Sequence, residues 1–154
     1  MFLYLVQHAE AKREEEDPLS PLSRKGLADI NKVASYVSKL DVNVVQIFHS
    51  GKLRAKQTAE VLLENLKPIK GLTETDGLNP LDDPRIWAER LKEVTDNIML
   101  VGHLPHLGKL SAQILCGDKE KGIIDFKMGG IVCLKRFEDS HWSVEWMIIP
   151  EVIK

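Results

Sequence analysis

Phe2-Leu3-Tyr4-Leu5-Val6-Gln7-His8 runs through five apolar residues and then stops at an amide and an imidazole. A strand with apolar side chains at both odd and even positions is covered on both faces, as a central strand of a parallel sheet is. The form recurs in Val44-Val45-Gln46-Ile47-Phe48, followed by His49-Ser50-Gly51, and in Ile98-Met99-Leu100-Val101, followed by Gly102-His103. Helical patterns separate these runs, so strand and helix alternate, and the expected fold is α/β with a mostly parallel sheet between helix layers.

Working outward, Ala9 to Pro21 is polar and carries Pro18 and Pro21, which reads as a loop. Ser23 is placed to cap a helix in which Leu27, Ile30, Val33, Ala34, Val37 and Leu40 form one apolar stripe, ending near Asp41. After His49, Ser50 and Gly51 a second helix runs through Ala55, Thr58, Ala59, Leu62, Leu63 and Leu66 and is closed by Pro68. Ile69 to Leu72 offers a short strand, Thr73 to Pro84 a loop, and Arg85 to about Val94 a third helix. Pro105 suits the first turn of a fourth helix through Leu107, Leu110, Ser111, Ile114 and Leu115, which Gly117 can end. Ile131 to Phe137 and Trp142 to Ile149, joined by Glu138-Asp139-Ser140-His141, form a hairpin that adds antiparallel strands.

The 154 residues fit one domain, read as 1–154, with 44% apolar and 29% charged residues, a composition of neither disordered nor fibrous chains. Lys and Arg total 21 against 23 acids, a net charge of -2, so no bulk positive field recommends nucleic acid as partner. Cys116 and Cys133 lie in apolar surroundings without C-x-x-C spacing, which argues against a disulfide framework or zinc site and reads as two buried thiols. Nothing basic precedes Phe2, and its apolar run is too short for a signal segment or membrane span, so no membrane partner and a cytoplasmic location are expected. Trp87, Trp142 and Trp146 read as scaffold, and the acidic run Glu14 to Asp17 as a solvated loop.

Ligands of open α/β sheets bind beyond the carboxyl ends of the strands. His8, His49 with Ser50, and His103 all fall there, and Arg54 stands one turn inside the helix that Ser50 is expected to open. Helix N-termini add unpaired N–H groups and a positive dipole end, so histidines and an arginine gathered there suit a phosphate. His103 and His106 lack a third ligand in the sequence, so no metal is expected; His106 reads as structural and His49 as a surface residue at a strand end.

Three stretches carry a resemblance: Leu5-Val6-Gln7-His8-Ala9-Glu10-Ala11, then Ser50-Gly51-Lys52-Leu53-Arg54-Ala55-Lys56-Gln57-Thr58-Ala59-Glu60, then Val101-Gly102-His103-Leu104-Pro105. In order and across nearly the whole chain they resemble the signatures of the histidine phosphatase superfamily, with its phosphoglycerate mutase-like three-layer α/β/α fold. The short length and Ala9-Glu10-Ala11 resemble its SixA-like phosphohistidine phosphatases. The resemblance implies that His8 attacks phosphorus and carries the phosphoryl group as a transient phosphohistidine. It implies that Arg54 and His103 hold the phosphoryl oxygens, with Gln7 and Ser50 binding substrate and no metal or organic cofactor.

One position departs from the pattern. An arginine usually precedes the nucleophile, and this chain has Gln7, which donates only neutral hydrogen bonds. Charge-assisted hydrogen bonds are worth roughly 1.5 to 3 kcal/mol against about 1 for neutral ones, so the exchange weakens phosphate stabilisation by roughly tenfold or more unless another cation, Arg24 or Lys25 among the candidates, compensates. Glu74, Asp76, Asp82 and Asp83 are all candidates for a general acid and none has a distinguishing motif. Imidazole is a better leaving group than an alkoxide, so a weak acid position favours an N–P substrate. Three readings stay open: a phosphatase of a phosphorylated histidine-containing carrier or phosphotransfer protein, a phosphomonoesterase of small phosphorylated metabolites with the same site, and a noncatalytic phospho-ligand binding module.

Overall fold

A computed structural model describes residues 1–154. Six strands form one sheet: β1 Phe2–Gln7, β2 Gln46–His49, β3 Leu72–Glu74, β4 Ile98–Gly102, β5 Ile131–Arg136 and β6 Trp142–Ile148. Their order is β3-β2-β4-β1-β5-β6, parallel from β3 to β1, with β5 antiparallel to β1 and β6 antiparallel to β5. Four helices cover it: α1 Arg24–Ser38, α2 Leu53–Leu66, α3 Arg85–Arg90 and α4 His106–Cys116. None is long and apolar enough to cross a membrane.

The two-faced strands build two cores. Tyr4 and Val6 of β1, with Met99 and Val101 of β4, pack against Ile30, Val33, Ala34 and Val37 of α1 and Ala55, Ala59 and Leu62 of α2. Leu3, Leu5, Ile98 and Leu100 point the other way, to Trp87 of α3 and Leu107 and Leu110 of α4. Every one of these residues is buried, and truncating such a leucine to alanine costs about 2 to 5 kcal/mol.

Several expectations are corrected. In α1 Leu27 is exposed, and the helix ends at Ser38 so that Leu40, also exposed, lies beyond it; the four central apolar positions make the contact with the sheet. After Arg90 the third helix gives way to turns rather than reaching Val94. Pro105 caps α4 from outside instead of lying in its first turn. Cys133 is buried in β5, but Cys116 is exposed at the last position of α4, where the apolar stripe has passed the edge of the sheet.

The register positions the site. Gln7 is level with Gly102 and His49 with Val101, so neighbouring β2, β4 and β1 end on one line. Only residues 50–52 link β2 to α2, and only residues 103–105 link β4 to α4. Side chains at these three strand ends are therefore held close to rigid elements.

Candidate active site

His8 is anchored from both sides. Its backbone N–H donates to the Gly102 carbonyl at 3.0 Å, and its Nδ1 lies 2.7 Å from the Ala9 carbonyl oxygen. A carbonyl only accepts, so Nδ1 carries the hydrogen, and neutral His8 presents the lone pair of Nε2. Burial is the main force lowering its pKa below the ordinary value, with the positive charge of Arg54 acting the same way, and the Ala9 contact opposes them. His8 is only half-buried, so its free nitrogen is within reach of a ligand.

Arg54 is brought to His8 by a chain of hydrogen bonds that starts one residue further on. Ala9 N–H donates to Thr58 Oγ1 at 3.0 Å, and the Thr58 hydroxyl donates to the Arg54 carbonyl at 2.8 Å. Gln57 Oε1 accepts from Leu22 N–H at 2.8 Å and ties the long loop to the same helix. Glu10 has a structural part: its carboxylate accepts from the Ser23 hydroxyl at 2.8 Å, and Ser23 caps α1 by accepting from Gly26 N–H. Gly26 is required there, since a Cβ would fall 2.0 Å from the Glu10 carbonyl oxygen.

His103, 1% exposed, completes the cluster. Its ring centroid lies 5.1 Å from that of His8, and its Nε2 is 2.6 Å from Ser50 Oγ. Burial first, then the charges of His8, Arg54, Lys52 and His106, push its pKa down to about 3. His103 is thus uncharged at neutral pH, and its Nδ1 is buried without a partner. Gln7 Oε1 is likewise buried without a donor. Rotating that amide by half a turn brings Nε2 to the same place, where it can donate to an oxyanion.

Ser50 does not open the helix. Gly51 takes φ +95°, Lys52 is the N-cap, and Ser50 Oγ accepts from Lys52 N–H at 3.3 Å while engaging His103. Arg54 is accordingly the second residue of α2 rather than one turn in. The first helical N–H groups, of Leu53 and Arg54, have no acceptor within the chain and are free for an anion. His49 is not a surface residue: at 4% exposure its Nδ1 accepts from Gly51 N–H at 3.0 Å and holds the turn beneath Ser50. His106 is fully buried, with both ring nitrogens unpartnered.

Of the four acids, Asp76 is paired with Arg90, Asp83 with Arg85, and Asp82 accepts from Asn79 N–H. Glu74 stands against the turn at Gly51, where a Cβ would come within 2.9 Å of its carboxyl carbon, and its charge acts on His49. No carboxylate hydrogen-bonds to His8, Arg54 or His103, nor do acids lead the groups that set the charge of either histidine. Lys25, one of the offered compensating cations, is paired with Asp29 at 2.7 Å, and Arg24 is exposed at the start of α1. Thr58, Gln57, Lys52 and His49 escaped the sequence reading as site-building residues, although the first three lie inside the second signature.

A sequence model of the histidine phosphatase superfamily (branch 1) matches residues 3–99. An uncharacterised protein of Picosynechococcus sp. is 32% identical over 145 residues, covering 84% of this chain and 86% of that one. The chain is similar to the phosphohistidine phosphatase SixA of Escherichia coli, 22% identical over 97% of this chain and 94% of that one. A structure of the protein histidine phosphatase SixA with tungstate superposes at TM-score 0.85, 22% identical over 97% of both chains. A putative alpha-ribazole-5'-P phosphatase of E. coli superposes at TM-score 0.79, 16% identical over 97% of this chain and 98% of that one.

Proposed function

The chain belongs to the histidine phosphatase superfamily and is a phosphatase, and from that premise we propose that its substrate is a phosphohistidine on a carrier or phosphotransfer protein. Residues 1–154 act as one catalytic domain. The observation that carries the reading is the absence of any carboxylate bonded to the histidine cluster, beside a His8 Nε2 whose lone pair is free. A site that holds no carboxylate on its histidine cluster is suited to a leaving group that departs as imidazole.

In the first step His8 Nε2 bonds to phosphorus as the substrate's N–P bond breaks, and the leaving imidazole keeps that electron pair and takes a proton from solvent. In the second, water attacks phosphorus, the His8–phosphorus bond breaks, the electron pair returns to Nε2, and phosphate leaves with the oxygen of that water. Arg54 and the N–H groups of Leu53 and Arg54 face the phosphoryl oxygens, where donors fixed in place stabilise developing charge. His103 is held by Ser50 as a neutral partner in the same shell, and Gln7 contributes a neutral amide. The connections after β2 and β4 are three residues each and carry no inserted substrate-binding segment, which fits a phosphoimidazole presented on a protein surface.

The test is a comparison of turnover on a phosphohistidine peptide and on a sugar phosphate. Faster release from the phosphohistidine peptide is expected. Faster hydrolysis of the sugar phosphate overturns the assignment in favour of a metabolite phosphomonoesterase, and binding without release from either points to a phospho-ligand module.

A further inference from the structure

The proposed site is short of positive charge. His8 and His103 are held neutral, Gln7 has no charge to give, and among the five candidate residues Arg54 is the sole permanent cation. A phosphoryl group at neutral pH carries nearly two negative charges. One guanidinium and the N-terminal dipole of α2, equivalent to about half a charge, leave part of that uncompensated.

Lys52 stands on the turn that joins Ser50 to Arg54. It stands two residues after Ser50 and two before Arg54, as the N-cap of α2. Its backbone is fixed by the bond from its N–H to Ser50 Oγ, the same oxygen that lies 2.6 Å from His103 Nε2. Its side chain is exposed and forms no ion pair, whereas Lys25 is tied to Asp29 and Arg13 to Glu16. Its charge acts on His103 in company with that of Arg54, while neither Arg24 nor Lys25 is among the charges acting on either site histidine. A lysine is a flexible point charge, so it can swing onto a bound anion without prior positioning.

We propose that Lys52 is the second phosphate-binding cation of this chain, its ammonium taking the share of phosphoryl charge that Gln7 cannot. The inference rests on the phosphatase reading for what the phosphate belongs to, but not for whether phosphate binds. Gln7 and Lys52 then complement each other, one position at the end of β1 carrying no guanidinium and the other supplying an ammonium from beyond the end of β2, across β4.

The experiment is calorimetric titration of inorganic phosphate into the native chain, Lys52→Gln, Lys52→Arg, Gln7→Arg and the double variant Gln7→Arg/Lys52→Gln, with phosphohistidine-peptide turnover measured alongside. Lys52→Gln is expected to weaken phosphate binding and kcat/KM by about tenfold, and Lys52→Arg to retain both. Gln7→Arg is expected to gain more in the Lys52→Gln background than in the native one, because the two cations serve the same charge. Equal gains in both backgrounds, or a Lys52→Gln chain that binds phosphate as the native one does, overturn the proposal, as does a native chain that binds no phosphate. Lys52-dependent phosphate binding in a chain that turns over neither phosphohistidine nor aryl phosphate supports Lys52 and removes the phosphatase reading instead.

Discussion

The two ends of the central sheet hold similar residue types and use them in opposite ways. At the amino end, Met1, Leu91, Gln113, Arg136, Phe137 and Trp142 help line a cavity of about 720 Å³. Its arginine is committed to the fold: the Arg136 guanidinium donates to the carbonyls of Leu91 and Val94 at 2.5 and 2.7 Å, in the turns that follow α3. At the carboxyl end imidazole nitrogens stand without partners, pKa values are displaced, and Arg54 has no carboxylate beside it. Space alone therefore does not mark a site. Polar groups left unsatisfied by the fold, and held in place by it, are what a ligand completes.

The sharpest way to break this contrast is to remove one arginine from each end. Arg54→Gln is expected to lower kcat/KM by roughly a hundredfold or more while leaving the melting temperature nearly unchanged. Arg136→Met is expected to do the reverse, costing about 1 to 3 kcal/mol of stability while leaving turnover of the remaining folded protein within about twofold. Steady-state kinetics and denaturant melts of both variants read the crossing directly. An Arg136→Met chain that keeps its stability would show that the amino-end arginine is not committed as described.

A smaller effect concerns protons. Burial lowers the pKa of His8, His103 and His106 from the ordinary 6.5, that of His103 to about 3. The unfolded chain takes up protons at these residues as pH drops below about 6.5, and the folded chain does not until lower pH. Their contribution is fully present above 6.5, is lost progressively as pH falls, and for His103 levels off only below about 3. Denaturant midpoints are expected to be flat from pH 8 to 7 and to fall from 6.5 toward 4. His106→Leu, which removes an imidazole faced by Asp82 and Asp83, is expected to make that fall shallower. The acid limb of kcat/KM should lie below the ordinary imidazole range, because His8 keeps its lone pair there.

The sheet end was legible in sequence to different depths, and the reasons are physical. Runs such as Phe2 to Val6 and Ile98 to Val101 declare burial on both faces, and their ends declare the rim on which His8 and His103 stand; the roles of these two come from the resemblance rather than from the pattern. What local pattern could not carry is pairing at a distance. The Ser50 to His103 bond spans 53 positions, so Ser50 read as a helix cap when its hydroxyl is turned toward the other strand. His49 read as exposed because a strand end usually is, yet register beside Val101 and the acceptor role toward Gly51 place it inside. Leu27 and Leu40 followed the helical period faithfully, but both are exposed, and Leu40 lies beyond the end of α1. The missing charge at Gln7 was visible at once, whereas Lys52 emerged only when the turn built on Gly51 set it beside His103.

The central claim is that the free Nε2 of His8 takes the phosphoryl group. Its most direct test is to mix the protein with a phosphohistidine peptide, quench in alkali within the first turnover, where phosphohistidine survives, and map the phosphorylated residue by mass spectrometry. The account predicts a phosphoryl group on His8 that is labile to acid, absent from His8→Ala, and gone once substrate is exhausted. Phosphate release by His8→Ala at the native rate, or a phosphoryl group found on any other residue, would contradict it.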